Sequence, residues 1–380
     1  MAIGGEGERP EGAVMPDATS PASGQPSLRS GIADAIPESN MDGIPDSQRL
    51  YDLINSAWFT QAIYVMAELR LADAMRGGPG DVAGLAQATG CNPDALRRLL
   101  VALCAAGICR LEPDGRFALA PMGVLLCADA PESLRGWARL WGHHLWTHWG
   151  ELLDAVRTGS GWRKRTLGQQ GYEHLHDHPD AAVVFFDAMD SVTRIVTSHA
   201  ASLVRLTGQQ QVVDVGGGHG AFLAAVLDAW PAAHGICLDM PVAEPGARRL
   251  LSAAGLDGRA RFESGDFLVR IPSADVVLLK SVLHNWDETT CNRILANCRL
   301  AMPADGALFI VERLMPARVA DCRLDRSVVQ ADLNMLAGIG GRERTHAEYG
   351  QILADTGFHL TGVRPLTLGF SLLECIAKAH

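Results

Sequence analysis

The sequence lacks the features of a membrane-spanning or secreted protein. It contains no run of about 18 or more apolar residues, the length that a transmembrane helix requires. Its first residues, MAIGGEGERPEGAV, have no basic segment followed by an apolar one, so we expect no secretory signal, and their acidic residues argue against a transit peptide. We therefore expect a cytoplasmic protein with no membrane partner.

Paired cysteines are missing too. The nine cysteines lie between Cys91 and Cys375 without a C-x-x-C pair or a zinc-type array, which is typical of reduced thiols in a cytoplasmic enzyme. One tract, EHLHDHPD at residues 173–180, carries His174, His176 and His178. Because no cysteine or array of acids accompanies it, we interpret this tract as a polar loop before a helix and expect no metal.

The chain has no excess of positive charge. Its 43 acidic residues outnumber its 33 basic residues, for a formal net charge of −10. An acidic chain does not favour phosphate backbones, although a local basic patch would still be compatible with this balance. We expect no nucleic acid partner.

Aromatic residues are scarce, at 6% of the chain, but they are concentrated in one predicted helical region, residues 126–205. The aromatic and histidine residues there include Trp137, Trp141, His143, His144, Trp146, His148, Trp149, Phe185 and Phe186. Such a cluster can line a hydrophobic substrate pocket, and it can equally be packing between domains. Both interpretations stay open.

The length of 380 residues exceeds what one hydrophobic core usually serves, so we expect more than one domain. Residues 1–45 are rich in Gly, Pro, Ser and acids, and we predict a disordered tail there. We predict a winged-helix-like dimerisation domain over 46–125, a helical connector over 126–205 and a catalytic domain over 206–380. No internal repeat is evident.

Residues 48–122 have the pattern of a winged helix-turn-helix, all helical apart from a wing of two short strands. The step Asn92-Pro93 supplies an N-cap and a first-turn proline for the second helix, and Pro113-Asp114-Gly115 joins the strands. A winged helix raises the alternative of a DNA-binding regulator. The second helix carries only Arg97 and Arg98 as cations and looks buried, which favours dimerisation over DNA binding.

From residue 211 onward, strands and helices alternate, which predicts an α/β fold with a doubly wound, Rossmann-like sheet. The predicted strands cover residues 211–215, 234–239, 260–263, 276–280, 307–311, 358–365 and 370–377. Several are continuous apolar runs, as expected for a parallel sheet covered on both faces. The last two lack a helix between them and predict an antiparallel hairpin at one edge. A sheet of this kind binds its ligand at the carboxyl ends of its strands.

The segment VVDVGGGHGAFL, residues 212–223, begins as a strand and ends as a helix. Its turn glycines, which include Gly216, Gly218 and Gly220, allow a sharp turn and a close approach of backbone to ligand. Asp214 at the strand end can orient the turn or reach a cationic amine. Because Ala221 completes the pattern G-x-G-x-x-[GA], the segment by itself also fits a dinucleotide, and an NAD-dependent oxidoreductase is an alternative.

Later residues favour a methyl donor over a dinucleotide. Asp239 ends the next strand, where an acid can bond the ribose hydroxyls of either ligand. Asp266 follows the third strand in ESGDF, Lys280 ends the fourth, and His284 follows it in LLKSVLHNWDE. One sheet edge therefore gathers an acid, a cation and a candidate general base.

From residue 48 to the C-terminus, the sequence resembles the plant-type small-molecule O-methyltransferases and their bacterial natural-product relatives. The matching blocks are VVDVGGGHG, LDMPVAE, GDF, LLKSVLHNWDE, VERLMP and GGRERTHAEY, in the family's order and at its approximate spacing. The resemblance implies S-adenosylmethionine as cofactor, S-adenosylhomocysteine as product, and a homodimer formed through the N-terminal domain. The implied cofactor contacts are Asp214, Gly216, Gly218, Gly220, Asp239, Met240, Gly265, Asp266, Phe267 and Lys280.

The resemblance also implies a metal-independent transfer with His284 as general base, framed by Glu312 and Glu343. A carboxylate beside an imidazole fixes its tautomer and raises its basicity. A structural histidine, a surface acid at Glu312, and a salt bridge of Glu343 with Arg342 or Arg344 are the plainer interpretations. The expected acceptor is a hydroxyl of a small, aromatic secondary metabolite, as in antibiotic biosynthesis.

One residue departs from the family's pattern. Asn285 stands where relatives usually have Asp, which keeps hydrogen-bonding capacity but removes a charge near the acceptor. Some bacterial members of this fold keep the cofactor but catalyse other reactions, so divergence is a further alternative. Candidate residues for lining the acceptor pocket are Trp141, Phe186, Met189, Asn285, Asn334 and Met335.

Overall fold

The computed structural model describes residues 44–168 and 171–378. The tail predicted over residues 1–45 lies almost wholly outside the described residues. Contacts divide the chain into two units at Leu53 and Ile54. Of the first unit, the structure describes residues 44–53, which contain the start of the first helix.

The N-terminal region is helical with a small β-hairpin. Its elements are α1 (Asp46–Glu68), α2 (Leu71–Ala74), α3 (Val82–Thr89), α4 (Pro93–Ala105), β1 (Cys109–Leu111), β2 (Phe117–Leu119) and α5 (Pro121–Val124). Asn92 caps α4 by accepting a hydrogen bond from the Ala95 amide at 3.0 Å, with Pro93 in the first turn, as the sequence predicts. Strands β1 and β2 pair antiparallel as the wing.

Helix α4 differs in part from the expectation that it is buried. Leu96, Leu100 and Leu103 face the local core, whereas Arg97 and Arg98 are exposed. The helix is therefore amphipathic, with one face in the domain core and the other at its surface.

Residues 135–203 form a helical segment within residues 126–205, for which the sequence predicts a connector. Its helices are α6 (Arg135–Arg139), α7 (Leu145–Gly150), α8 (Leu152–Thr158), α9 (Trp162–Leu167), α10 (His174–Asp177) and α11 (Pro179–Leu203), with a π-helical turn at Leu140–His144 between α6 and α7. Gly142 in that turn packs so closely on Tyr64 of α1 that an added Cβ would overlap its ring. The missing side chain therefore lets the connector lie directly against α1.

The C-terminal region is an eight-stranded sheet with helices on both faces. Its strands are β3 (Gln211–Val215), β4 (His234–Asp239), β5 (Ala260–Ser264), β6 (Val276–Lys280), β7 (Ala307–Met315), β8 (Arg344–Thr345), β9 (Phe358–Pro365) and β10 (Phe370–Ala377). Its helices are α12 (Ala221–Ala229), α13 (Glu244–Ala253), α14 (Glu288–Ala301), α15 (Arg323–Gly338) and α16 (His346–Asp355).

The strand order is β5-β4-β3-β6-β7-β10-β9, and β8 pairs with the end of β7. Strands β3 to β7 are parallel, while β10 runs antiparallel between β7 and β9. The predicted edge hairpin is therefore confirmed. Strands β5 and β7 continue to Ser264 and Met315, beyond their predicted ends.

Alternate residues of each central strand face opposite sides of the sheet. Val212 and Leu278 belong to one hydrophobic core, and their neighbours Val213 and Leu279 belong to the other. All four side chains are fully buried, and burying one such side chain contributes about 1.5–3 kcal/mol. Burial on both faces explains the continuous apolar runs and holds the carboxyl ends of the strands in a fixed row.

Candidate active site

The glycine turn after β3 is a tight cradle at the carboxyl edge of the sheet. Gly216, Gly218 and Gly220 have positive φ values of 66°, 58° and 81°, which favour glycine. A Cβ on Gly216 would lie 2.9 Å from the Val282 side chain and 3.6 Å from Phe267. The turn therefore leaves partly buried backbone accessible at a place that a side chain would fill, as a close-lying ligand requires.

Two buried carboxylates brace this turn. Asp239 accepts hydrogen bonds from the amides of Gly218 and Met240, each at 2.7 Å, and burial raises the pKa of its carboxyl. Asp214 accepts from the Leu223 amide at 3.3 Å, and burial raises the pKa of Asp214 to about 7. A carboxylate oxygen has two lone pairs, so Asp239 can still accept from ligand hydroxyls.

The other predicted cofactor residues lie along the same edge. Asp266 is exposed after β5 and caps its own loop by accepting from the Leu268 amide at 2.8 Å. Lys280 at the end of β6 is half-buried, and its Nζ donates to Ser281 Oγ at 3.1 Å. Burial, followed by the charge of Arg313, lowers the pKa of Lys280 to about 8.

Ser281 introduces a sharp turn directly before His284. Its φ of 55° lies in the left-handed region, which a residue with a side chain rarely adopts. The chain then forms a 3-10 helix, Leu283–Asn285, that carries His284. Strained backbone of this kind is common at functional sites, where the surrounding structure holds it in place.

His284 is buried between two carboxylates. Its Nδ1 lies 3.1 Å from Glu343 Oε1 and 3.5 Å from Glu312 Oε2. Burial lowers the pKa of His284, but the charges of Glu312 and Glu343 outweigh it, and the net effect is a raised pKa. An N–H on Nδ1 that faces the carboxylates leaves Nε2, on the opposite side of the ring, to accept a proton.

Glu312 also holds the backbone that carries the histidine. Its Oε1 accepts from the amides of Val282, Leu283 and His284 at 3.0, 2.9 and 3.4 Å, which satisfies the start of the 3-10 helix. The side chain is fully buried, and burial raises its pKa. This carboxylate is therefore not a surface acid.

Arg344, which the sequence suggested only as a salt-bridge partner of Glu343, instead fixes the other end of the same helix. Its guanidinium donates to the carbonyls of Leu283 and Trp286 at 2.9 and 2.6 Å. Arg342 pairs instead with Glu348 at 2.8 Å. Neither arginine forms the salt bridge with Glu343 that the plainer interpretation required, so this carboxylate is left to the imidazole.

A cavity of about 2300 Å³ brings the cofactor edge and the connector helices together. His284 lines it, with Glu312 and Glu343 behind the imidazole. Nine predicted cofactor residues line it: Asp214, Gly216, Gly218, Asp239, Met240, Gly265, Asp266, Phe267 and Lys280. Gly220 does not; it is buried at the start of α12. The predicted acceptor residues also line it: Trp141, Phe186, Met189, Asn285, Asn334 and Met335.

Two polar links between the connector and the sheet are not predicted from the sequence. His219 Nδ1, in the glycine turn, lies 2.7 Å from Asp190 Oδ2 of α11. Tyr172 donates its hydroxyl hydrogen to Asn285 Oδ1 at 3.1 Å, and Asn285 donates to the Ser281 carbonyl at 3.0 Å. Each link joins residues that are far apart in the sequence. The residue types show that these side chains can form hydrogen bonds, but not with which partners.

The histidine and its two carboxylates also have donor atoms close enough for a metal ion, all within 4.8 Å of one another. Glu312 Oε1 is taken by three backbone amides, and Nδ1 faces both carboxylates. This donor set is arranged to hold a proton on the imidazole. The histidine tract of residues 173–180 gives no such cluster among the described residues; His176 and His178 are exposed.

The arrangement can take a proton from an acceptor next to a bound ligand. The imidazole supplies the base, the carboxylates stabilise its charged form, and the glycine turn with Asp239 supplies the binding edge. No helix among the described residues is long and apolar enough to cross a membrane. The nine cysteines are all free thiols.

Comparison with known proteins gives two family matches. Residues 149–359 match the model of the O-methyltransferase domain, and residues 51–129 match the O-methyltransferase dimerisation domain. A phenazine O-methyltransferase, PhzM from Lysobacter antibioticus, is 34% identical over 339 residues, which cover 89% of this chain and 98% of the relative. Aclacinomycin 10-hydroxylase RdmB from Streptomyces purpurascens is 35% identical over 333 residues, 84% of this chain and 87% of the relative.

Solved structures agree with these matches. The structure of LaPhzM is 33% identical, with a TM-score of 0.81 over 88% of this chain and 100% of the other. The O-methyltransferase NcsB1 from neocarzinostatin biosynthesis, solved with S-adenosylmethionine and 2-hydroxy-5-methyl naphthoic acid, is 30% identical, with a TM-score of 0.69 over 84% of this chain and 96% of the other.

Proposed function

This chain belongs to the O-methyltransferase family, and we propose that His284 is the general base with which it methylates a hydroxyl group of a small aromatic acceptor. The enzyme is an S-adenosylmethionine-dependent O-methyltransferase, with the fold of its family: a helical dimerisation domain and a Rossmann-like catalytic sheet. The specific residues and the acceptor class are the proposal.

The observation that carries the proposal is the placement of His284. Its ring lines the cavity, its Nδ1 faces Glu343 and Glu312, and Arg344 and Glu312 hold both ends of its short helix. A histidine that served packing alone would not need two buried carboxylates on one nitrogen. The arrangement supports a base whose free nitrogen meets the acceptor.

The proton transfer follows from these contacts. A phenol titrates near 10, so it stays largely protonated at neutral pH and needs a base as its oxygen becomes a nucleophile. The bound S-adenosylmethionine supplies an electrophilic methyl group and needs no metal to activate it. His284 takes the hydroxyl proton, and the two carboxylates stabilise the imidazolium that results.

The donor binds along the glycine turn in our proposal. Gly216 and Gly218 give the ligand access to the backbone, and Asp239 accepts from the ribose hydroxyls. Asp266 and Phe267 flank the adenine, and Met240, Gly265 and Lys280 complete the edge. The tight space at Gly216 supports this fit, because any side chain there would meet Val282 and Phe267.

The acceptor class rests on the cavity lining and on the relatives. Aromatic side chains of the connector, among them Trp141, Phe185 and Phe186, line the same cavity as His284. PhzM is named for phenazine, and NcsB1 was solved with a naphthoic acid; both molecules have fused aromatic rings. We therefore propose an aromatic secondary metabolite, such as an antibiotic precursor, as acceptor.

The alternatives are weaker. The family match and the structures solved with a methyl donor do not support an NAD-dependent oxidoreductase. A DNA-binding regulator is disfavoured because the winged helix matches a dimerisation domain. The similarity to a hydroxylase is the argument for a family member that catalyses another reaction. The presence of His284 with both of its carboxylates favours methyl transfer.

Replacing the base tests the proposal. We expect His284→Ala to lower turnover at least about a hundredfold, which is the usual contribution of a general base, and to leave the affinity for S-adenosylhomocysteine nearly unchanged. His199→Ala, at an exposed position on α11, is the matched control and should keep full turnover. Turnover is measured as labelled methyl transfer to a panel of hydroxylated aromatics, and affinity by calorimetry. Unchanged turnover in His284→Ala would contradict the assignment.

We also propose that the chain forms a homodimer through its N-terminal region and works in the cytoplasm. The dimerisation-domain match over residues 51–129 supports the first proposal, and the nine free thiols fit a reducing compartment. We propose that residues 46–125 mediate dimerisation, that residues 126–205 contribute to the acceptor pocket, and that residues 206–380 bind the donor.

A further inference from the structure

Arg163 on α9 is a buried cation that the proposed mechanism does not use. Arg163 is only 6% exposed, and it lines the cavity. Nη1 donates to the Gly171 carbonyl at 3.3 Å, and Nε has no hydrogen-bond partner among the residues that the structure describes. A buried guanidinium normally requires a carboxylate or several acceptors, so this one is incompletely satisfied.

The acids of the surrounding helices have other partners or are exposed. Glu151 accepts from the Trp162 indole at 3.2 Å and pairs with Arg165 at 3.0 Å. Glu173 is exposed. Among residues 44–168 and 171–378, no carboxylate forms an ion pair with Arg163, so the protein itself does not supply its counterion.

Two uncharged histidines accompany this arginine. His148 and His174 line the same cavity, and each has a buried Nδ1 without a hydrogen-bond partner in the described part of the chain. Burial, together with the charge of Arg163, lowers the pKa of each to about 4. Both imidazoles are therefore neutral at pH 7, and each has one N–H to donate. Trp162 stacks on His148 with ring centroids 4.2 Å apart and holds it in place.

This group lies on the acceptor side of the cavity. The Arg163 guanidinium stacks on the Tyr172 ring, 4.2 Å from its centroid, and Tyr172 donates to Asn285, the neighbour of the base. Phe185 packs on Tyr172 with ring centroids 4.9 Å apart. The glycine turn and Asp239, by contrast, lie at the ends of β3 and β4. A flat molecule among these rings would therefore have the cation and the base within its reach.

We propose that Arg163, together with His148 and His174, forms a subsite for a carboxylate group on the aromatic acceptor. The inference rests on the proposed function, because it takes His284 to mark the methylated hydroxyl. The guanidinium supplies the charge and a forked pair of donors, and the imidazoles add neutral donors. The enzyme would then favour hydroxylated aromatic acids over their neutral derivatives.

The experiment compares the affinity of the enzyme for an aromatic acid with its affinity for the uncharged amide of the same acid. The probes are 2-hydroxy-5-methyl naphthoic acid and its primary carboxamide, titrated by calorimetry into the full-length enzyme saturated with S-adenosylhomocysteine. Wild type is compared with Arg163→Met and with Arg165→Met, the matched control, whose arginine pairs with Glu151 and does not line the cavity. Circular dichroism confirms that each variant is folded.

We expect the wild type and Arg165→Met to bind the acid at least about tenfold more tightly than the amide, and Arg163→Met to lose that preference. Absence of a preference in the wild type, including failure of both probes to bind, would overturn the proposal, as would a preference that survives in Arg163→Met. If Arg163→Met does not fold, the wild-type comparison decides the outcome by itself.

A carboxylate could also come from the methionine end of the cofactor, and a second titration distinguishes the two sources. Affinity of folded Arg163→Met for S-adenosylhomocysteine should equal that of the wild type; a loss of this affinity would assign the arginine to the donor and overturn the proposal. If the acid preference depends on Arg163 while His284→Ala keeps full turnover, the subsite stands and the proposed base fails.

Discussion

Among single residues, the two carboxylates beside His284 have different partners. Glu343 contacts the imidazole through Oε1, while Glu312 uses Oε1 for three backbone amides and approaches the ring only through Oε2. Both carboxylates raise the pKa of His284, Glu312 by its charge and Glu343 by its charge and its hydrogen bond, but only Glu312 also holds the backbone that carries the histidine. The two roles can be separated by experiment.

Glu343→Gln should change the pH dependence of the reaction. His284 must be neutral to accept a proton, and the carboxylates raise its pKa, so activity rises as pH increases through that pKa. Removing the charge of Glu343 lowers the pKa, so the acid limb of kcat/KM against pH should move to lower pH. Glu288→Gln, at an exposed position on α14, is the control. An acid limb that stays in place in Glu343→Gln would contradict this role.

Glu312→Ala should destabilise the fold, because it leaves three buried amide groups without an acceptor. We expect a loss of about 3 kcal/mol in the free energy of unfolding, measured in urea, and a smaller loss for Glu312→Gln, which keeps an oxygen. Glu288→Ala at the surface should change it by less than about 0.5 kcal/mol. Equal losses in Glu312→Ala and Glu288→Ala would be evidence against the positioning role.

Residue types and spacing were enough to predict which side chains meet at the site. Asp239 and Lys280 end strands of a parallel sheet and His284 follows one, and the carboxyl ends of these strands form one row. The supporting contacts could not be predicted in this way. Arg344 reaches carbonyls 61 and 58 residues away, and its direction depends on how β8 joins the end of β7. Arg163 and Arg165 lie two residues apart on the same helix. The sequence does not show that Arg163 lines the cavity while Arg165 pairs with Glu151.

At the level of whole elements, helix α11 is tied to the glycine turn. Asp190 on α11 holds His219, and Phe186 of the same helix packs on the His219 ring with centroids 4.9 Å apart. The ring also lies directly over Gly246 of α13, where an added Cβ would be 2.0 Å from Nε2. His219 therefore joins the glycine turn to a helix that lines the cavity.

Gly246→Ala should disturb the turn through that ring. Overpacking typically costs about 1–3 kcal/mol, and about 1.4 kcal/mol corresponds to a factor of ten, so we expect roughly tenfold weaker binding of S-adenosylhomocysteine by calorimetry. The matched control is Gly350→Ala in α16, where an added Cβ has no atom within 4 Å. Unchanged affinity in Gly246→Ala would show that the turn does not depend on His219.

The positions of the central strands were predicted more accurately than the ends of the strands or the burial of the helices. Continuous apolar runs locate β3, β4 and β6 because both faces of each strand are buried. Strand β7 extends four residues further than predicted because Arg313 and Leu314 pair with β10 and β8, which sequence patterns do not reveal. The exposed face of α4 was likewise missed, because apolar residues such as Val101 occur on it.

At the level of the whole molecule, α1 carries large apolar side chains at its surface. Ile54 and Trp58, four residues apart on one helix face, are 66% and 69% exposed. Such residues, in a region that matches a dimerisation domain, fit the homodimer that we propose.

Trp58→Asp should therefore weaken self-association. We expect the wild type to be a dimer by size-exclusion chromatography with light scattering, and Trp58→Asp to shift towards the monomer, because a buried charge opposes association. Leu300→Asp replaces an 85% exposed residue on α14 and should stay dimeric. A dimer that persists in Trp58→Asp would place the interface elsewhere.

The position of β10 between β7 and β9 has a consequence for how the protein is made. Strand β7, which carries Glu312, is completed on one side only when Phe370 to Ile376 pair with it, after α15, β8, α16 and β9 have been synthesised. Pairing over such a long separation is slow, whereas the winged helix has local contacts and can fold first. During synthesis the edge of β7 therefore stays open until β10 has been made, and Glu312 gains its partner residue Ser371 only at that late stage.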